Sequence, residues 1–378
     1  MNDSILAVRQ QRNVSLDFLR VISMIMIVVL HCLGHDGTLG ATKLYSFEYF
    51  SGWTLEAFCY VAVNCYVLIS GYFLCEGKFK LNKLLTLYGS TWLWSVALFV
   101  IFVAAGIADL SAKNVIKAFL PFTQCGYWFV TTYLLMYILC PFLNIAIHAM
   151  NKRQHAAVIA VFFGVYIVLQ NISFWREFTL VGQNDPMFFI FLYFVSAYIR
   201  RYPPEKKRFW IFFYAISSLL TAASRPIITY VTTIGFGKSV YETMFFSYNS
   251  ILTVVGSISL FLFFYGLDIK NKTVSKIITF AAPLTFGVYL IHENVYLKVF
   301  LWQSLVKPDR YAENPWMILL VLGISLGVFA VCCCIEKIRL LLRKWLHIDR
   351  AVNWLAEKSE KIFEKICMAR PIRAFWVE

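Results

Sequence analysis

The first apolar run of the chain, Leu16-Asp17-Phe18-Leu19-Arg20 through Val29-Leu30-His31-Cys32, holds two basic side chains, Arg20 and His31, eleven residues apart. Ionisable groups within an apolar span are costly, so each is a candidate for function. On an α-helix, eleven residues turn about 1100°, or about 20° beyond three full turns, and rise about 16.5 Å. Arg20 and His31 therefore share one helix face at two depths, with a wall of Val, Ile and Met between them. A guanidinium binds phosphate through charge-assisted hydrogen bonds. A histidine moves protons near neutral pH. Taken singly, Arg20 also reads as a snorkelling anchor and His31 as a satisfied structural histidine. Their common face argues against treating them singly.

A second polar group stands in a late apolar run, Tyr289-Leu290-Ile291-His292-Glu293. His292 lies as far into that run as His31 lies into the first, so the spacing predicts one depth and a shared polar pocket. Glu293 is expected about 100° around the helix, toward a different neighbour. Asn64 and the segment Leu68-Ile69-Ser70-Gly71-Tyr72-Phe73 follow in the second run, where Ser-Gly permits close helix approach. Lys78, Lys80 and Lys83 come next, near the expected level of Arg20. They suit phosphate binding or simply set topology. Gly126-Tyr127-Trp128-Phe129 reads as part of an aromatic belt. Arg225, before Pro226, could meet an anionic group from outside or snorkel outward. No P-loop, GxSxG or HExxH pattern occurs. The ten cysteines lack metal-ligand spacing and read as small buried hydrophobes, so no metal site is expected.

The elements that position these residues are membrane spans. The 378 residues are 60% apolar and only 15% charged, against about 25% charged in soluble domains. The mean hydropathy is +0.67. This composition excludes a soluble enzyme, a disordered chain and a disulfide scaffold. Ten apolar stretches can be drawn, at 16–33, 54–75, 84–106, 127–148, 156–171, 187–199, 209–234, 250–267, 277–300 and 316–335. The fold class is all-α, a polytopic integral membrane protein. With the N-terminus inside, 25 of the 35 Lys and Arg fall on the inner side and 7 on the outer. That asymmetry supports both termini inside and accounts for the net charge of +14 without nucleic acid. Residues 1–15 form a short inner N-terminus and 16–335 the membrane domain. The tail, 336–378, has Val352, Leu355, Ile362, Phe363 and Ile366 at helical spacing, and is expected on the inner membrane surface or as a solvated helix.

Four segments in this order resemble acyltransferase family 3, the integral-membrane O-acyltransferases of bacterial surface glycans. They are Arg20 with His31, the Leu68–Leu74 stretch, Tyr127-Trp128-Phe129 through Pro141, and Phe286-Gly287-Val288-Tyr289-Leu290-Ile291-His292. The extra esterase-like domain of some members has no counterpart here. The resemblance implies a bacterial inner-membrane enzyme that moves an acetyl group from cytoplasmic acetyl-CoA to a hydroxyl of a surface polysaccharide or its lipid-linked precursor. Acetyl-CoA is then a co-substrate, with no permanently bound cofactor. The expected catalytic residues are His31 and Arg20, His31 as general base or as an acetyl carrier. The expected donor-binding set is Arg20, Lys78, Lys80, Ser70 and Trp128, with His292, Glu293 and Arg225 orienting. Two other classes fit ten spans and a basic inner face: a flippase for a lipid-linked glycan, and a sensor or assembly partner of a polysaccharide pathway.

Overall fold

A computed structural model describes residues 12–35, 37–123, 126–169, 171 and 184–366, with side chains as far as 359. Cys125, Arg176 and Cys367, and the side chains of Ile362, Phe363 and Ile366, lie outside that set. The described residues are helices and connections, with no strand. In chain order the helices are α1 (Val14–Gly34), α2 (Thr38–Ala41), α3 (Phe47–Cys59), α4 (Ala62–Leu74), α5 (Leu81–Ala104), α6 (Ala112–Phe119), α7 (Trp128–Ala149) and α8 (Lys152–Phe162). A π-helical stretch, Phe163–Leu169, continues α8. Then come α9 (Pro186–Arg201), α10 (Trp210–Phe236), α11 (Ile251–Tyr265), α12 (Lys272–Ala281), α13 (Thr285–His292), α14 (Val295–Val299), α15 (Met317–Trp345) and α16 (Ile348–Ile366).

Among the described residues, each of the ten apolar stretches falls on helical segments, the second and ninth on more than one. Eight helical segments are long and apolar enough to cross a membrane, with α3 and α4 counting as one and α12 and α13 as another. The remaining two, α9 and α11, have 16 and 15 residues, about 24 and 22 Å of helix. Along α10, Phe212, Ile216, Leu219, Ile227, Val231 and Ile234 are all exposed. Such an apolar face suits hydrocarbon, and the helix satisfies its own backbone there. The molecule is a polytopic all-α membrane protein.

Local chemistry sets the helix starts. Asn13 caps α1, its side chain accepting from Leu16 N at 3.0 Å, and Asp17 in the first turn faces the positive helix end. Asp185 caps α9, with Pro186 at the first helical position. Between the helices, small residues allow close approach. A Cβ on Gly71 would lie 2.2 Å from Ser196 Oγ, so α4 and α9 touch there. That matches the expectation from Ser70-Gly71. A Cβ on Gly287 would lie 2.1 Å from Glu336 Cδ. The missing side chain makes room for the buried Glu336 carboxylate, which accepts from Trp94 Nε1 at 3.0 Å and from Arg339 at 2.8 and 2.6 Å. Seven of the eight described cysteines are buried and all eight are free.

One expectation changes. The ninth apolar run is not one helix to residue 300. It stops at His292, Glu293 takes the C-cap position, and Asn294 starts α14 by accepting from Tyr296 N and Leu297 N. Tyr127 stabilises this break, because its hydroxyl donates to Leu290 O and accepts from Asn294 Nδ2, both at 2.9 Å. The tail forms the expected helix, α16, and packs against α5 and α15. Asn82 Nδ2 donates to Asn353 Oδ1 at 3.2 Å, and Arg343 pairs with Asp349.

Candidate active site

Helix α1 runs through the core of the bundle, touching α3, α4, α11, α12, α13 and α15. One cavity of about 340 Å³ lies along it, and both Arg20 and His31 are in its wall. Ser70 and Trp128 line it as well, together with Tyr66, Tyr133, Tyr248 and Tyr289. The shared face computed from an eleven-residue spacing is thus the face that lines a cavity. Trp128 stacks on Tyr248 with centroids 5.7 Å apart. The aromatic segment 127–129 is part of the bundle interior, where Tyr127 is buried, and not only a belt. Tyr66 and Tyr289 have buried hydroxyls that make no hydrogen bond of ordinary geometry. Both hydroxyls lie at the cavity wall, that of Tyr66 beside Thr285 and that of Tyr289 beside the Phe129 backbone.

At one end, Arg20 Nη1 bonds Asp17 Oδ1 at 2.6 Å. Asp17 also takes Arg12 as a partner, and Arg12 Nη2 reaches Thr279 O at 3.0 Å. Asp17 is buried whereas Arg20 keeps 29% of its side chain exposed. The carboxylate therefore fixes the guanidinium by one nitrogen and leaves other N–H groups for a ligand.

At the other end, His31 Nδ1 lies 2.9 Å from His292 Nε2 and 3.2 Å from Glu293 Oε2. The two histidines do meet at one depth. Glu293, expected to face elsewhere, joins them because the helix ends at His292 and the next residue leaves the helical path. Its Oε2 also lies 2.8 Å from His35 Nε2, and its Oε1 accepts from Lys298 Nζ at 2.9 Å. His292 and Glu293 are buried, while His35 and Lys298 each keep 30% exposure, so the cluster opens at its edge.

The proton positions follow from the partners. His292 Nδ1 sits 2.6 Å from Val288 O. A carbonyl only accepts, so Nδ1 carries the proton and neutral His292 presents a lone pair at Nε2. His31 Nδ1 must then donate, toward His292 Nε2 and Glu293 Oε2 together. Neutral His31 is left with its lone pair at Nε2. A histidine fixed in this tautomer by a second histidine and a carboxylate can accept a proton at Nε2, with the carboxylate stabilising the imidazolium that forms. The nitrogens of His31 and His292 and a Glu293 oxygen also lie within 4.8 Å of one another, a spacing that one divalent ion can bridge.

The remaining predicted residues lie elsewhere. Lys78 and Lys80 are exposed and do not line this cavity. Lys80 contributes backbone groups that bond Tyr137 OH. Arg225 pairs with Glu242 at 3.3 Å and stacks on Trp53 at 3.6 Å. It is bound into α3 and α10 and is not in the cavity wall. Sequence reasoning missed His35, Lys298 and the bridging role of Asp17. His35 carried a signal, since it follows His31 by four and so shares its helix face. Lys298 carried none until the break at Glu293 was known.

A family model described as an acyltransferase domain matches residues 13–336. No curated protein and no solved structure matches the chain. The match spans both ends of the cavity, from Asp17 and Arg20 to His292, Glu293 and Lys298, and the chain belongs to acyltransferase family 3 as a multi-pass membrane acyltransferase.

Proposed function

We propose that the protein is an O-acetyltransferase of a bacterial inner membrane, moving acetyl from cytoplasmic acetyl-CoA to a hydroxyl of a surface polysaccharide or its lipid-linked precursor. The observation that carries this reading is one cavity walled by both Arg20, at one end, and a tautomer-fixed His31, at the other. The Arg20 end, with the excess of basic residues around it, is the cytoplasmic side. A thioester donor entering there places its phosphates near Arg20 and its acetyl group near His31. The separation along the helix, about 16.5 Å, suits a long slender arm.

His31 Nε2 takes the proton of the acceptor hydroxyl as its oxygen attacks the thioester carbonyl. The C–S bond then breaks, the sulfur leaves with the pair, and the proton passes from Nε2 to the thiolate. The products are the acetyl ester and free CoA. Glu293 stabilises the transient imidazolium, and Tyr289, on the cavity wall with its ring 6.3 Å from that of His292, can turn its hydroxyl toward the developing oxyanion. Ser70 and Trp128 shape the channel for the arm.

The test is label transfer from acetyl-labelled acetyl-CoA in inside-out vesicles that contain native acceptor. Wild type should pass label to glycan or glycolipid, and His31→Ala, inserted to the same level, should not. Transfer by His31→Ala at the wild-type rate removes the mechanism. An inactive wild type in the presence of acceptor removes the acetyl-CoA assignment.

A further inference from the structure

A second cavity of about 410 Å³ adjoins the first at the Arg20 end. Leu87 and Phe286 line both, so two apolar side chains separate them. The second cavity lies between the start of α5, the end of α15 and the start of α16. Lys83, Arg339 and Arg343 stand in its wall. We infer that this vestibule binds the phosphate-bearing nucleotide part of the acyl donor, with the tail helix α16 as one wall. The inference rests on the donor being an acyl-CoA.

The charges differ in how they are committed. Arg339 is held by two bonds to Glu336, which is itself anchored by Trp94, so this pair is structural. Arg343 is held more loosely. Its Nη2 bonds Thr86 Oγ1 at 3.2 Å, its buried Nε has no partner, and its carboxylate partner is Asp349, which is 59% exposed. Lys83 has no carboxylate within ion-pair distance among the described residues. Among the described residues, Lys83 without a carboxylate partner and Arg343 on an exchangeable surface carboxylate make a site for a polyanion, with Asp349 standing where a ligand phosphate would sit. The buried Oδ1 of Asn82 also lacks a partner, an acceptor of the kind that an exocyclic amino group of a base requires.

These residues replace Lys78 and Lys80 as the phosphate set. The feature also belongs to this chain, because Arg339, Arg343, Asp349 and Asn353 all lie beyond residue 336, where the family match ends. The arm of the donor would pass between Leu87 and Phe286 into the first cavity.

The test is equilibrium binding of labelled CoA to the purified full-length protein in lipid nanodiscs, with no acceptor present. Lys83→Ala and Arg343→Ala should each weaken binding about tenfold, the scale of a lost charge-assisted hydrogen bond. Asp349→Asn should instead tighten it severalfold, because it removes the carboxylate that competes for Arg343. A merely structural ion pair would give no gain, and Asp349 is exposed enough to change without unfolding. Thermal unfolding of each variant checks its integrity. If wild type binds CoA and folded Lys83→Ala and Asp349→Asn bind it equally well, the vestibule assignment fails while the donor assignment stands. If wild type does not bind CoA, both fall.

Discussion

Replacing Glu293 with Gln tests the tautomer argument most directly. The change removes one negative charge 3.2 Å from His31 Nδ1 and alters little else in volume. At an effective dielectric constant of about 20, a unit charge at that distance stabilises the imidazolium by about 5 kcal/mol. Lys298 on the other carboxylate oxygen, at 2.9 Å, offsets part of this. A net loss of about 2–3 kcal/mol of transition-state stabilisation remains, or about 30- to 160-fold in rate. His292 still accepts from His31 Nδ1 in the variant, so the tautomer survives and only the charge is lost. The loss should therefore appear in kcat at saturating acetyl-CoA, with the donor KM unchanged, because Glu293 is at the opposite end of the cavity from Arg20. Label transfer by wild type and Glu293→Gln, normalised to inserted protein, measures this. A folded variant with wild-type kcat, or one whose defect is entirely in donor KM, would refute the reasoning.

Three further outcomes follow from the geometry. Arg20→Ala should raise the KM for acetyl-CoA by about tenfold or more, since hydrogen bonds to charged groups are worth about 1.5–3 kcal/mol, and steady-state kinetics with varied donor reads it; an unchanged KM ends the donor-holding role. Tyr127→Phe removes the hydroxyl that joins Leu290 O and Asn294 Nδ2, so kcat and thermal stability should fall together while donor KM stays. Gly287→Ala drives a Cβ into Glu336 and should lower stability by about 1–3 kcal/mol, the usual scale of overpacking; an unshifted melting temperature in detergent would show that the carboxylate relocates freely.

The sequence carried the spans and the main pair for a plain reason. A membrane span must be long and apolar, and an ionisable residue within it stands out against that background. Arg20, His31 and His292 were legible on those grounds, and helical periodicity alone put the first two on one face. Lys78 and Lys80 lie outside the wall of the Arg20–His31 cavity, because membership of a basic cluster in sequence does not say which lysine borders a pocket. Lys83 does line the vestibule, three residues further on, where α5 has begun and a side chain has a defined face. Arg225 looked available for the same reason that isolated charges always do. Its partners are Trp53, from α3 far away in the chain, and Glu242, from the connection that follows α10.

The break after His292 shows why Glu293 could not be placed from periodicity. An unbroken helix would carry it about 100° from His292 and away from His31. Ending the helix there costs backbone hydrogen bonds, and at membrane depth such losses are tolerated only where neighbouring groups take them up. Tyr127 and Asn294 do so, the first by donating to Leu290 O and the second by capping α14. The same break lets one carboxylate reach His31, His35 and Lys298 together. A polar group of this kind is useful only if it faces a space that a substrate can enter, and His31 supplies that face through the cavity it shares with Arg20. The irregular backbone is therefore tied to the proton chemistry. A substitution that restores helical continuity, such as Asn294→Ala, should move Glu293 away and lower kcat more than it lowers stability.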